Sequence, residues 1–126
     1  MKQRTSYLFA TGVLIVVIVY LLYRYAINGF LYISAEDAKA KIAAKEIDTI
    51  VDVRTNIEYN LGHAPGAVHI PTGEIEQKAS SLLPDKTARI LVYCNTGQRS
   101  RAASEKLYSM GYKNVRYIAG TYLSLR

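Results

Sequence analysis

The chain has no tryptophan, three prolines, two histidines and a single cysteine among its 126 residues. One cysteine excludes an internal disulfide, so nothing covalent staples the fold, and cysteine counting says little about compartment. No grouping of His, Cys and carboxylates has ligand spacing, so no metal site is expected. A run of basic residues interleaved with aromatics is missing as well. The net charge of +6 looks suggestive, but three of the 16 basic residues, Lys2, Arg4 and Arg24, flank an apolar run. The other 13 are scattered among 10 acids, which argues against a nucleic-acid partner. There is no internal repeat and no low-complexity segment.

What the chain does hold is an apolar start. No charged residue occurs in 7–23, which reads YLFATGVLIVVIVYLLY. That length sits at the short end of what spans a bilayer, about 17–25 residues. The apolar character returns at Phe30 and Leu31, past Arg24, whose long stem can snorkel. Tyr7, Tyr20, Tyr23 and Tyr25 fall near the two ends, as interfacial aromatics do. A core helix would show one polar face, and this segment shows none. A cleaved leader would end in small residues, and this run ends in Leu21-Leu22-Tyr23-Arg24. The expectation is a single-pass anchor in 1–30, with its helix at about 7–25, and one domain in 31–126. The bilayer is then a partner. By charge the amino terminus lies inside. By chemistry the domain faces the cytoplasm, where thiols are abundant.

Beyond the anchor, Asn28-Gly29 reads as a break and Tyr32-Ile33 as a short strand. Ser34 is an N-cap with Asp37 three residues on, and Ala35, Ala38 and Ile42 share one helical face. The β-branched run 49–53 predicts a strand buried on both sides. A short helix at 57–61 ends at Gly62. A strand at 67–70 stops at Pro71, and a helix follows at 74–80. After a turn at Pro84-Asp85 come a central strand at 89–93, a helix at 98–110 stopped by Gly111, and a last strand at 114–118. Ala103, Leu107 and Met110 point inward on that helix. Strands alternating with helices imply an α/β fold with a parallel sheet covered on both faces. Ligands bind such sheets at the carboxyl ends of the strands.

Cys94 lies at such an end, between the strand 89–93 and a helix start. A free cysteine is most often a small buried core residue. The residues that follow, Asn95-Thr96-Gly97-Gln98-Arg99-Ser100, are all polar or glycine, which no core strand needs. Gly97 permits the positive φ of a loop wrapped around one atom. A helix N-terminus and a nearby arginine both lower a thiol's pKa, and a run of N–H groups cups an anion. The segment therefore offers a reactive thiolate and a seat for a negatively charged substrate.

This loop resembles the active-site loop of single-domain rhodaneses, C-x-x-G-x-R-S. Upstream, the stretch from Asp52-Val53-Arg54 through Glu58-Tyr59 and Gly62-His63-Ala64-Pro65-Gly66-Ala67 to Ile70-Pro71 is similar to the same family's second signature. The resemblance covers about 33–120. It implies a rhodanese-like domain and a sulfurtransferase that needs no cofactor. Cys94 would take sulfane sulfur from a small donor such as thiosulfate, hold it as a persulfide and pass it to a thiol or cyanide. A protein acceptor is left open. The resemblance also implies that Asn95, Thr96, Gly97, Gln98, Arg99 and Ser100 bind the substrate. Asp52, Arg54 and Glu58 are read as supporting residues, with Arg54 paired to Glu58 beneath the site. His63 sits among turn residues and is read as structural.

Two other functions compete. One is a non-enzymatic binding or redox-sensing module at a membrane; the cysteine argues for chemistry and leaves a sensing role open. The other is a phosphatase or arsenate reductase. Only four residues separate Cys94 from Arg99, and a phosphate cradle of the dual-specificity kind has one more. The chain also departs from the family pattern at its end. Where many members have Gly-Gly and a tryptophan, it reads Ala119-Gly120-Thr121-Tyr122, which leaves little for a closing helix.

Overall fold

The computed structural model describes residues 1–126, apart from the side chain of Asn28. A long helix α1 (Lys2–Leu31) leads into α2 (Ala35–Ala43), β1 (Thr49–Asp52), α3 (Asn56–Leu61), β2 (Val68–His69), α4 (Ile75–Leu82), β3 (Ile90–Tyr93), α5 (Gln98–Ser109) and β4 (Val115–Tyr117). Single 3-10 turns lie at Thr72–Glu74 and Tyr122–Leu125. The four strands form one parallel sheet in the order β2-β1-β3-β4.

The core follows from the pleat of β3. Successive side chains point to opposite faces of a strand. Ile90, Val92 and Cys94 join the apolar cluster built with α4, α5 and Leu31. Leu91 and Tyr93 join the cluster with Ala38, Ala64, Ala67 and Ile118. Both β1 and β3 are inner strands, paired from Thr49–Ile90 to Asp52–Tyr93. That register puts Asp52 beside Tyr93, one residue before Cys94.

The elements keep their expected order, with shifts at the ends. Ser34 caps α2 by accepting the Asp37 N–H at 3.1 Å. The full capping box is at α3, where Thr55 and Glu58 bond reciprocally. The strand expected at Tyr32-Ile33 is reduced to one bridge, Tyr32 to Tyr117, with the Ile33 N–H donating to the Tyr117 carbonyl at 3.0 Å. The closing segment, thought too short for a helix, forms the turn Tyr122–Leu125, capped by Thr121.

The largest departure is α1. Its 18-residue apolar window has a mean hydropathy of 2.2 and none of it is buried in the protein, so it is not a core helix. It is one N-terminal helix long and apolar enough to cross a membrane. The break expected at Asn28-Gly29 falls partly on Asn28, whose side chain lies outside the described residues. The helix itself continues past 25 through Gly29 to Leu31. One glycine inside a helix costs only about 1 kcal/mol. Burial of Leu31, which is fully enclosed in the core, outweighs that cost.

Candidate active site

The chain leaves β3 at Tyr93 and enters α5 at Gln98, so four residues must reverse the path around Cys94. Gly97 makes this turn at φ +100°. A Cβ there would also sit 2.9 Å from the Ala119 backbone, so both conformation and space demand glycine. The turn wraps the loop around the Cys94 sulfur. The Gly97 N–H lies 3.1 Å from Sγ and the Ser100 N–H 3.4 Å. The Ser100 hydroxyl is 3.5 Å away. It is also 3.1 Å from the carbonyls of Gly97 and Ile118.

These contacts decide the charge on sulfur. Burial pushes the Cys94 thiol up, because Cys94 is wholly enclosed. The Ser100 hydroxyl and the N–H groups of Ser100, Gly97 and Thr96 pull it down, and the net shift is downward. A hydroxyl carries one proton. With a neutral thiol, Ser100 gives that proton to a carbonyl and accepts from the S–H. With a thiolate it turns the proton toward sulfur. Ser100 thus serves both states, and donors of Gly97 and Ser100 converge on the Cys94 sulfur.

Arg99 and Asn95 do something else. Arg99 grips Glu58 with both terminal nitrogens, at 2.7 and 3.0 Å. The Asn95 amide donates to the same carboxylate. Glu58 is also the capping-box partner of Thr55 at the start of α3, accepting from the Thr55 N–H at 3.2 Å. Arg99 holds the Glu58 carboxyl well below the usual carboxylate range, against a smaller opposing effect of burial. One carboxylate therefore ties both flanks of the Cys94 loop to α3. Gln98 is exposed on the outer side of the loop.

The pairing of Arg54 with Glu58 is corrected. Arg54 belongs to Asp52 instead, with Nη2 to Oδ2 at 2.7 Å and Nε to both carboxylate oxygens at 3.1 Å. The reason is reach: the two residues flank the end of β1, and Glu58 is already held by Arg99. Nη2 also donates to the Gly62 carbonyl at 2.6 Å. Burial raises the Asp52 carboxyl, but bonds from Arg54 and Tyr93 bring it below its ordinary value. Tyr93 donates its hydroxyl proton to Asp52 at 2.6 Å and accepts from the Ala64 N–H at 3.0 Å.

Tyr93 and Tyr122 are the residues that sequence reasoning missed. The Arg54 guanidinium lies 5.4 Å from the Tyr93 ring and 5.3 Å from the Tyr122 ring. Tyr122 lies beside Tyr93, with ring centres 6.0 Å apart, and covers the Arg54 guanidinium. The departure at Ala119-Gly120-Thr121-Tyr122 was the available signal. The two histidines stack on Tyr59, His63 at 3.7 Å and His69 at 4.4 Å between ring centres. Both nitrogens contacted meet backbone carbonyls, of Tyr59 and Arg54, which makes them structural.

This geometry agrees with the relatives. The profile of the rhodanese-like domain family matches residues 34–125. The chain is 39% identical over 70 residues to the thiosulfate sulfurtransferase PspE of Escherichia coli, covering 56% of this chain and 67% of that protein. It is 40% identical over 83 residues to the putative sulfur carrier protein YrkF of Bacillus subtilis, covering 66% of this chain but only 44% of the relative. The fold superposes on the rhodanese-like domain of the Anabaena Alr3790 protein with a TM-score of 0.66 and 30% identity, over 75% of this chain and 72% of that one. With the Cys94 loop, the buried Asp52–Arg54 pair and the parallel sheet all in place, the chain belongs to the rhodanese-like domain family.

Proposed function

We propose that the protein is a membrane-anchored sulfurtransferase that carries sulfane sulfur on Cys94. The observation that carries this reading is the ring of donors around one sulfur, two N–H groups within 3.4 Å and the Ser100 hydroxyl at 3.5 Å. Such a ring stabilises a thiolate, the nucleophilic form. The names of its relatives, a thiosulfate sulfurtransferase and a putative sulfur carrier, support the same enzyme class.

In the first step the Cys94 thiolate attacks the outer sulfur of thiosulfate. A new S–S bond forms, the donor's S–S bond breaks, and sulfite leaves with the electron pair, so a persulfide anion replaces the thiolate. In the second step an acceptor thiolate takes the outer sulfur and Cys94 returns as thiolate. The charge balances in both steps, and neither needs an added oxidant. The N–H groups aimed at Sγ hold negative charge throughout, which is where preorganised donors act most strongly.

A phosphatase reading is disfavoured by Arg99. Its guanidinium is spent on Glu58 and does not stand free to clamp a phosphate. The anchor is α1, whose apolar window is exposed along its length. The test is intact mass after exposure to thiosulfate. One added sulfur on the wild-type chain and none on Cys94→Ser is expected. An unmodified wild-type chain would refute the persulfide.

A further inference from the structure

The end of α1 is built into the domain. Arg24 pairs with Glu105 of α5 at 3.0 Å. The Phe30 ring meets Tyr108 edge-on at 6.5 Å, and the Arg116 guanidinium lies 4.0 Å from the Phe30 ring centre. Ile27 packs against the core and Leu31 lies inside it. The anchor thus enters the domain as a continuous helix, and the domain is held in one orientation to it.

That orientation places the Cys94 loop beside the helix. A cavity of about 440 Å³ is walled on one side by Gly29 and Tyr32, and on the other by Thr96, Gly97 and Gln98. Gly97 donates its N–H to the sulfur at 3.1 Å, and Thr96 precedes it in the same loop. From Tyr23, the end of the uncharged run, to Gly29 the helix rises about 9 Å. The polar layer on each side of a bilayer is about 5–8 Å deep. The cavity therefore opens just outside the headgroup layer, beside the bilayer surface. Its lining is mostly ring, glycine and alanine, with Arg101 as the one charged side chain. Glu105 is shared by Arg101 and Arg24, and Arg116 lies over Phe30 nearby, so positive charge is in excess at this seam.

We propose that this cavity takes the apolar body of a membrane-confined thiol, and that the outer sulfur of the Cys94 persulfide passes to such an amphiphile. The inference rests on the anchored sulfurtransferase reading. In the transfer, the amphiphile's thiolate forms a bond to the outer sulfur as the Cys94 S–S bond breaks. The lipid persulfide leaves and the Cys94 thiolate is restored. An apolar wall favours a hydrocarbon body, the excess positive charge favours the thiolate head, and the helix holds the loop beside the bilayer surface, within reach of such molecules.

The full chain in phospholipid nanodiscs, first charged with thiosulfate, tests this against a phospholipid bearing a thiol headgroup and against a soluble thiol. Its comparison protein carries eight Gly/Ser residues inserted between Tyr23 and Arg24. That insertion spans about 16 Å as a flexible coil and leaves the contacts of Arg24, Ile27, Phe30 and Leu31 intact. The insertion should slow transfer to the thiol lipid about tenfold and leave transfer to the soluble thiol unchanged. Equal rates on the lipid would overturn the inference. Hydrogen exchange on the wild-type chain gives a readout free of activity. Residues 96–101 should be more protected in nanodiscs that hold the thiol lipid than in nanodiscs of plain phosphatidylcholine, and equal protection would also overturn it. Sulfur delivered to neither acceptor would bring down the sulfurtransferase reading, and this inference with it.

Discussion

Glu58 illustrates how much one side chain can organise. It completes the capping box of α3, receives both terminal nitrogens of Arg99 and binds the Asn95 amide, so the two flanks of the Cys94 loop meet on one carboxylate. If Arg99 and Glu58 work as a unit, Arg99→Ala and Glu58→Gln should each lower kcat/KM for thiosulfate about tenfold, and the double variant should be no worse. Additive losses would instead mean that Arg99 acts on the substrate by itself. Ser100 is testable through pH. A thiol whose folded pKa is depressed is mostly thiolate above that value, so persulfide formation should rise with pH with a midpoint below the ordinary thiol value of about 8.5. Ser100→Ala removes the hydroxyl donor, and the midpoint should move up. An unmoved midpoint would leave the backbone donors as sufficient. The roles of Cys94, Gly97 and Ser100 were legible in the sequence because each acts locally, within seven consecutive residues. The Arg99–Glu58 pair was not, because its partners lie 41 positions apart and only the fold brings them together.

At the scale of elements, the ends of β1 and β3 are locked by a buried network. Asp52, Arg54 and Tyr93 are all buried, and Asp52 receives three donor groups. Removing one partner of a buried ion pair leaves the other charge uncompensated, at a cost of about 3–5 kcal/mol. Arg54→Ala should therefore lower the thermal midpoint sharply and affect sulfur transfer only through the lost fold. A variant that melts like the wild type would show that Asp52 finds other donors. The sign with pH follows from the carboxylates. Asp52 and Glu58 both titrate below their ordinary values in the folded chain. Their contribution is complete above about pH 4 and declines as pH falls through the unfolded values toward the folded ones. The strands themselves were readable from β-branched runs and alternation. Their ends were less so, because Tyr32-Ile33 and 67–70 lie at the edges of the sheet, where only one or two residues find a pairing partner.

For the whole molecule, the order of apolar helix and domain was legible and the seam between them was not. Hydropathy shows where the apolar run begins, but it does not tell whether Leu31 belongs to that run or to the core of the domain. The structure puts Leu31 at 0% exposure, with Ile27 packed against the same cluster. The last two turns of α1 therefore serve the domain, and a cut at 31 would strip part of its support. We propose that a chain of residues 24–126 is soluble, folds and transfers sulfur, because it keeps Arg24, Ile27, Phe30 and Leu31 while losing the uncharged run. A chain of residues 32–126 lacks Leu31, which is worth about 2–3 kcal/mol of burial, together with the Phe30 contacts to Tyr108 and Arg116. Its thermal midpoint should fall by roughly 10 °C or more for a domain of this size. The same logic bears on sidedness, for which we propose a cytoplasmic domain. Since Cys94 is enclosed, a protease reports the side better than a thiol reagent. Trypsin added to intact cells should leave the domain uncut until lysis, and cleavage before lysis would place it outside. Between the two truncated chains, melting curves settle where the domain begins: equal midpoints would leave α1 outside the domain fold, and a drop confined to 32–126 would make its last turns part of it.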